Sequence, residues 1–343
     1  MWCNKVIIKN FDDFKASFVG EPVVTWIDVR TEGGFTREFY GKKYFYNKTN
    51  DLVNIEHSFN FIGFPKEKKD TKLNDKIGSI DFETFGSNLG KGHQQVYAAG
   101  FAIKDHTELS YIQSSETSEQ FINRFFLSIL MNHNLNGYTI YAHNLGRFYS
   151  VFILKSLILN PKLSLKPIWK DNAILSLTVK CDNVKFTLLD SINLIPGKLK
   201  TILNSYNCNI KKGNFPYKFV NKENLFYTGE KPSKDFYSGI SDKEYLSIPQ
   251  NNWNLQTETL NYLRSDVEGL LEVLNKFSET IFNKYQLNIT RFKSLSGLVL
   301  AAYRTSYLSD NLRSEIKIIK SDLESEIRSA YFGGSVEVYI NEI

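Results

Sequence analysis

The sequence predicts a mixed α/β sheet domain preceded by a small β-rich region. Three observations predict it. Strand-like and helix-like segments alternate from residue 76 onward. They open with three strand-like segments in succession, an antiparallel start. Late in the chain, Leu260, Leu263, Val267, Leu270, Leu271, Leu274, Phe277 and Ile281 follow Thr257 at the spacing of one helical face. A chain of 343 residues has room for about two domains. At 42% hydrophobic and 23% charged it can bury a core, and global disorder is excluded.

The elements follow in order. Val23-Val24-Thr25-Trp26-Ile27-Asp28-Val29 reads as a strand, Gly33-Gly34 as a turn, and the aromatic-rich residues 35–46 as a second strand. Lys66-Glu67-Lys68-Lys69-Asp70-Thr71-Lys72 is polar and charged and reads as a linker. Residues 77–82, 95–104 and 109–113 read as strands. Residues 116–131 place Phe121, Phe125, Ile129 and Leu130 at helical spacing, with Thr117 or Ser118 as the cap. A short strand at 138–142 leads into a helix at 146–159. Strands near 174–180 and 184–189 form a β excursion, and Pro196 starts a short helix that runs to Tyr206. Residues 211–241 read as an irregular basic loop. Helices near 294–308 and 320–330 and a strand at 335–340 complete the reading.

Composition excludes several classes. Cys3, Cys181 and Cys208 are odd in number and far apart, against a disulfide-stapled secreted fold and for a reducing compartment. No histidine pair sits near a cysteine pair, which excludes a zinc finger. The longest apolar stretch, 151–159, is interrupted by Lys155 and falls short of the roughly 18 residues that span a bilayer. Residues 1–14 carry a short apolar run followed by Asp12 and Asp13, unlike a signal or transit peptide. A net charge of +5 permits nucleic-acid binding without demonstrating it.

Three places could carry chemistry. Asp81 and Glu83 are two apart on a strand, so both carboxylates point to one face. Such a pair in an apolar strand calls for a cation, and hard Mg2+ or Mn2+ suits oxygen ligands. Tyr262 and Asp266 lie four apart on the long helix and share a face. Residues 141–148 sit at a strand-to-helix junction, where His143 reads as a satisfied junction histidine rather than a ligand. Each element alone is weak, since D-x-E pairs and helical aspartates are common. Their order, carboxylates first, junction second and helix last, is the layout of a two-metal 3′–5′ exonuclease.

In this order the residues resemble the exonuclease half of family B DNA polymerases, especially the protein-primed subgroup of phages and fungal mitochondrial linear plasmids. Ser79-Ile80-Asp81-Phe82-Glu83-Thr84 resembles the first exonuclease motif, and Tyr262-Leu263-Arg264-Ser265-Asp266 the third. Ser191-Ile192-Asn193-Leu194-Ile195 is similar to the subgroup's single-strand-binding motif, with Ile192 in place of Leu. Lys212 matches the family lysine near the metals. Tyr331-Phe332-Gly333-Gly334 is similar to the element that joins the exonuclease and polymerase domains.

The resemblance covers about residues 76–343 and implies an RNase H-like mixed-sheet exonuclease domain at 74–290. A β-rich region at 1–73 precedes it, and a helical start of the polymerase domain at 291–343 follows. It implies that Asp81, Glu83 and Asp266 hold Mg2+ or Mn2+, that Tyr262 orients the attacking water, and that Lys212 assists. It assigns Thr84, Asn144, Phe148, Ser191 and Ile192 to the single-stranded 3′ end, and Tyr331, Gly333 and Gly334 to DNA. Phe148 can stack on a base. The implied partners are DNA, as a single-stranded 3′ end and as primer-template, and a terminal-protein primer, with no membrane. The implied location is the mitochondrion, on an organelle or plasmid gene, with a cytoplasmic linear plasmid as the alternative.

Two departures qualify these expectations. The second motif matches at Asn144 and Phe148, but Tyr149 stands where the metal-binding Asp belongs. A tyrosine is neutral near pH 7 and cannot supply that charge, so weak or absent proofreading is expected. Asp190 is not expected to replace it. No palm motif follows the Tyr331–Gly334 element, so the expectation is the N-terminal part of a polymerase. A stand-alone metal-dependent nuclease and a non-catalytic single-strand-binding protein are the rival readings.

Overall fold

The computed structural model describes residues 27–31, 33–39, 42–57, 62–63, 67–86, 94–158, 160–170, 172–309 and 317–318. The chain divides into two compact units, Met1–Lys66 with Leu308–Ile343, and Glu67–Tyr307.

The first unit contains an antiparallel meander of β1 (Ile27–Thr31), β2 (Gly34–Phe39), β3 (Lys42–Asn47) and β4 (Leu52–His57). The single strand expected over 35–46 is therefore two strands. Phe39 pairs with Lys42 across a tight reversal, and Phe35 stacks on Tyr46 at 4.5 Å. Aromatic residues on both sides of the reversal hide it from a reading by residue type. The short β5 (Ile62–Gly63) pairs with β15 (Lys317–Ile318). Residues 23–26, 320–330 and 335–340, three expected segments in whole or part, lie outside the described residues.

The second unit is built on a seven-stranded sheet. Its strands are β6 (Ile77–Gly86), β7 (Gln94–Ile103), β8 (His106–Tyr111), β9 (Thr139–Ala142), β10 (Ser164–Lys170), β11 (Ala173–Cys181) and β12 (Val184–Asp190). The spatial order is β10-β11-β12-β9-β6-β7-β8. β6, β7 and β8 run antiparallel, while β9 is parallel to β6 and β12 parallel to β9. The meander is thus followed by two parallel strands added beside its first member, which is the expected RNase H-like mixed sheet. β10 and β11 widen it, so the β excursion has three strands rather than two.

Among the described residues, six α-helices complete this unit: α1 (Ser118–Asn132), α2 (Ser150–Leu157), α3 (Leu199–Ser205), α4 (Asp242–Ser247), α5 (Leu255–Tyr285) and α6 (Leu295–Ser306). β13 (Thr228–Gly229) and β14 (Trp253–Asn254) form a small pair in the loop region. Thr117 caps α1 in a reciprocal box with Gln120, which fixes its start. The short helix begins at Leu199, because Gly197 sits at φ 133° and breaks the run after Pro196.

Strand alternation decides the layers. Phe82 points to one face and meets Phe125 of α1 edge-on at 6.1 Å. Asp81 and Glu83 point to the other face, which α5 covers. α5 lies close because position 100 is glycine: a Cβ there would stand 2.9 Å from Leu263 Cγ and 3.1 Å from Val267 Cγ1. Ser79 Oγ donates to the Val267 carbonyl at 2.6 Å, pinning helix to strand.

The charged run at 66–72 is not a free linker from Glu67 onward. Arg291 pairs with Glu67 and, at 3.0 Å, with Asp70, and Arg304 pairs with Glu67 at 3.3 Å. The Asp70 carboxylate also accepts the Asn288 backbone N–H at 2.8 Å. Its acids find arginines more than 200 residues away, which local charge cannot reveal.

Candidate active site

Asp81, Glu83 and Asp266 converge. Each offers a carboxylate oxygen, and these oxygens lie within 4.8 Å of one another. β6 supplies two of them from one face, and α5 supplies the third from the helix laid across that face. Glu83 is 7% exposed and Asp266 2%. Burial raises all three carboxyl groups above the usual range. Glu83 is raised further by its two acidic neighbours, and Asp266 is pushed up to about 6. Groups so placed resist ionising together unless a cation shares the site.

One cation comes from the chain. Lys212 Nζ sits 2.6 Å from Asp266 Oδ2 and 4.8 Å from the centre of the Tyr262 ring. A lysine in an irregular loop thus forms a half-buried ion pair with a residue 54 positions later. The other Asp266 oxygen, Oδ1, is buried without a hydrogen-bond partner. That bare acceptor, with three carboxyl groups raised by burial, fits a divalent cation held by oxygen ligands. Asp81, Glu83 and Asp266 are the residues that would hold it. Tyr217 donates its hydroxyl to Tyr262, whose own hydroxyl lowers the pKa of the neighbouring Asp266 carboxyl.

Tyr149 lies at the same cluster. Its hydroxyl stands close enough to the Asp81 carboxyl to lower that group's pKa, and its ring is 5.4 Å from that of Phe82. Burial and the nearby carboxylates raise its phenol well above the ordinary value, so it stays neutral. The backbone brings it there through a π-helical turn, Leu145–Tyr149, rather than the regular helix expected from residue 146. Asn144 opens that turn in the left-handed region at φ 77°.

Asp190 organises the junction. Its carboxylate accepts backbone N–H groups from Asn144 at 2.9 Å, Gly146 at 2.8 Å and Ile192 at 3.1 Å. It is spent on structure and is no substitute for a carboxylate at 149, as expected. His143 Nε2 meets the Gly197 carbonyl at 2.8 Å, so Nε2 carries the proton, and Nδ1 accepts from Ser191 Oγ at 2.9 Å. His143 is the satisfied junction histidine the sequence suggested.

A family model described as DNA polymerase type B, organellar and viral, matches residues 129–343. The chain belongs to this family. A probable DNA polymerase of Agaricus bitorquis is 39% identical over 341 residues, covering 93% of this chain and 42% of the relative. A probable DNA polymerase of Podospora anserina is 28% identical over 382 residues, covering 95% and 31%. The chain therefore spans less than half the length of these relatives. Phi29 DNA polymerase, solved with primer-template DNA and incoming nucleotides, aligns over 79% of this chain and 40% of its own. The TM-score is 0.49 and the identity 17%.

Within this type B polymerase chain, the structure brings Asp81, Glu83, Asp266, Tyr262 and Lys212 together. Through Asp190 it also gathers Asn144, Ser191 and Ile192. Asn144 is exposed, and Phe148, Thr84 and Ile192 are half-buried. Ser191 is buried, and its hydroxyl faces His143. Tyr331, Gly333 and Gly334 lie outside the described residues. Sequence reasoning missed Tyr217 and the clamp role of Asp190. Tyr217 lies in an irregular loop with no periodicity to mark it. Asp190 carried a weak signal, an acid directly before the Ser191 motif.

Proposed function

We propose that this chain is the N-terminal and 3′–5′ exonuclease portion of a protein-primed DNA polymerase, and that Tyr149 impairs its proofreading. The observation that carries the reading is the convergence of Asp81, Glu83 and Asp266 beside Lys212, with the Tyr149 hydroxyl on Asp81. A divalent ion held there supplies a Lewis acid at a phosphodiester and a water of lowered pKa. The chain's own residues orient and bind. Lys212 brings positive charge to where negative charge develops. The Tyr262 hydroxyl, beside Asp266, can orient a water. Asn144, Phe148, Thr84 and Ile192 offer a polar and aromatic approach for a single-stranded 3′ end.

The three acids and one lysine leave a net charge of about −2 when ionised, one carboxylate short of the full motif set. The same reading places the polymerase in replication of a linear plasmid or organellar DNA in the mitochondrion, working with a terminal protein. The names of the fungal relatives support the polymerase part of it.

The test is Mg2+-dependent trimming of a 3′-labelled single strand by the chain, by Tyr149→Asp and by Asp81→Ala/Tyr149→Asp. We expect slow trimming, a rise of at least about tenfold, and loss, respectively. A native chain as fast as Tyr149→Asp overturns the impairment, and an inactive Tyr149→Asp that still binds Mg2+ overturns the nuclease reading. The neutral Tyr149 on Asp81 also favours a second reading, single-strand binding without cleavage. Binding that weakens steeply with salt while every variant is inactive supports it.

A further inference from the structure

The chain has five histidines, and two of them meet on the face of the sheet opposite the carboxylate cluster. Register shows the separation. Asp81 lies across from Gly100, and Gly100 across from Leu109, so these three share the face under α5. Thr107 shares it too and donates to Glu268 of α5 at 2.8 Å. His106 and Glu108 alternate with them and point to the other face, where α1 lies. There His133, the residue that ends α1, reaches back to them.

The three side chains each present one ligand atom within 4.8 Å of the others. His133 Nε2 is 3.2 Å from Glu108 Oε2, and the two imidazole rings are 4.3 Å apart. Metal-bound nitrogen and oxygen at about 2.0–2.2 Å in a tetrahedron stand roughly 3.3 Å apart, so the first pair is already at ligand spacing. His106 is exposed and can swing to close the third edge. Glu108 is itself held: Ser128 Oγ donates to Oε1 at 2.5 Å and Asn132 Nδ2 to Oε2 at 3.4 Å. Metal-binding carboxylates are commonly oriented by such outer partners.

We propose that His106, Glu108 and His133 form a second metal site, selective for Zn2+ or a similar imidazole-binding ion, with a fourth position open to water. Two nitrogens and one oxygen exclude Mg2+ as the preferred occupant, whereas the all-oxygen cluster on the opposite face prefers it. The ion would tie the start of β8 to the end of α1, two segments separated by 24 residues of intervening chain and joined at this edge by no strand pairing. The proposal does not depend on the nuclease reading.

The test titrates Co2+ into the full chain in the presence of excess Mg2+, reading the visible bands of four-coordinate Co2+, and then displaces it with Zn2+. Native protein and Asp266→Asn should show one equivalent of bands. His106→Asn, an exposed change that leaves the fold intact, should bind at least about tenfold more weakly, and Ser128→Ala about tenfold more weakly. Zn2+ should raise the unfolding temperature of native protein and not of His106→Asn. Bands equal in native and His106→Asn, bands lost in Asp266→Asn, or no bands at all overturn the site and leave a histidine–glutamate hydrogen bond.

Discussion

The Tyr149 hydroxyl faces the Asp81 carboxyl, so an uncharged phenol stands beside the cluster of Asp81, Glu83 and Asp266. The hydroxyl acts on Asp81: it lowers that carboxyl's pKa against the upward push of burial. Tyr149 is therefore part of the site's electrostatics as well as a departure from its motif.

Tyr149→Phe separates charge from space. Removing the hydroxyl should raise the Asp81 pKa further and weaken Mg2+ binding, with no gain in trimming. Calorimetric Mg2+ titration at two pH values reads this. Faster trimming by Tyr149→Phe would mean that the hydroxyl blocks the site rather than failing to charge it.

The site should also make metal-free protein lose stability as pH rises. Asp266 titrates near 6 when folded and near 4 when unfolded, so over that window the folded state holds more protons. The slope of stability against pH is then negative: the contribution is full below about pH 4 and lost through about pH 6, by up to roughly 3 kcal/mol. Glu116, Glu119 and Glu272 have lowered values and give the opposite slope at lower pH. The quantity to measure is the difference between native protein and Asp266→Asn in urea with EDTA, from pH 4.5 to 7. It should favour Asp266→Asn increasingly as pH rises, and Mg2+ should reverse it. A difference that moves the other way would contradict the raised carboxyl.

Gly100→Val should push α5 from the sheet. The added carbons meet Leu263 Cγ and the β-branched Val267, neither of which can swing away freely. Overpacking of this kind costs about 1–3 kcal/mol. Urea unfolding should show a lower midpoint, and Mg2+ affinity should fall with it, because Asp266 rides on the same helix. An unchanged midpoint would mean that the helix shifts at no cost.

Asp190→Ala should destabilise the chain without removing a ligand. Three backbone N–H groups lose their acceptor, at about 1–3 kcal/mol for each that stays dry. Exposed Asn144 lets water in, so a loss of about 3 kcal/mol is expected. Denaturation reads the loss, and direct loss of a metal equivalent would show that Asp190 ligates after all.

Much of the sheet was legible because strand patterning is local. Residues 77–82, 95–104 and 184–189 announce themselves by apolar runs, and α5 by nine positions on one stripe. Asp81 with Glu83, and Tyr262 with Asp266, were legible for the same reason: two and four are the periods of a strand and a helix. The reversal inside 35–46 was hidden by uniform aromatic composition. The fastening of Glu67 and Asp70 to Arg291 was hidden by distance along the chain.

The sequence by itself determined the sheet's main strands, the shared face of Asp81 and Glu83 and of Tyr262 and Asp266, and the neutrality of residue 149 near pH 7. Only the tertiary structure decided that the Asp81–Glu83 pair and the Tyr262–Asp266 pair share one site. That depended on α5 lying against Gly100, a contact between positions more than 160 residues apart. It also decided that Lys212 meets Asp266, that Asp190 is spent on three backbone donors, and that His106 and His133 stand together on the opposite face. Such contacts arise when whole elements pack to bury their apolar faces, and no local period encodes which polar groups that packing brings together.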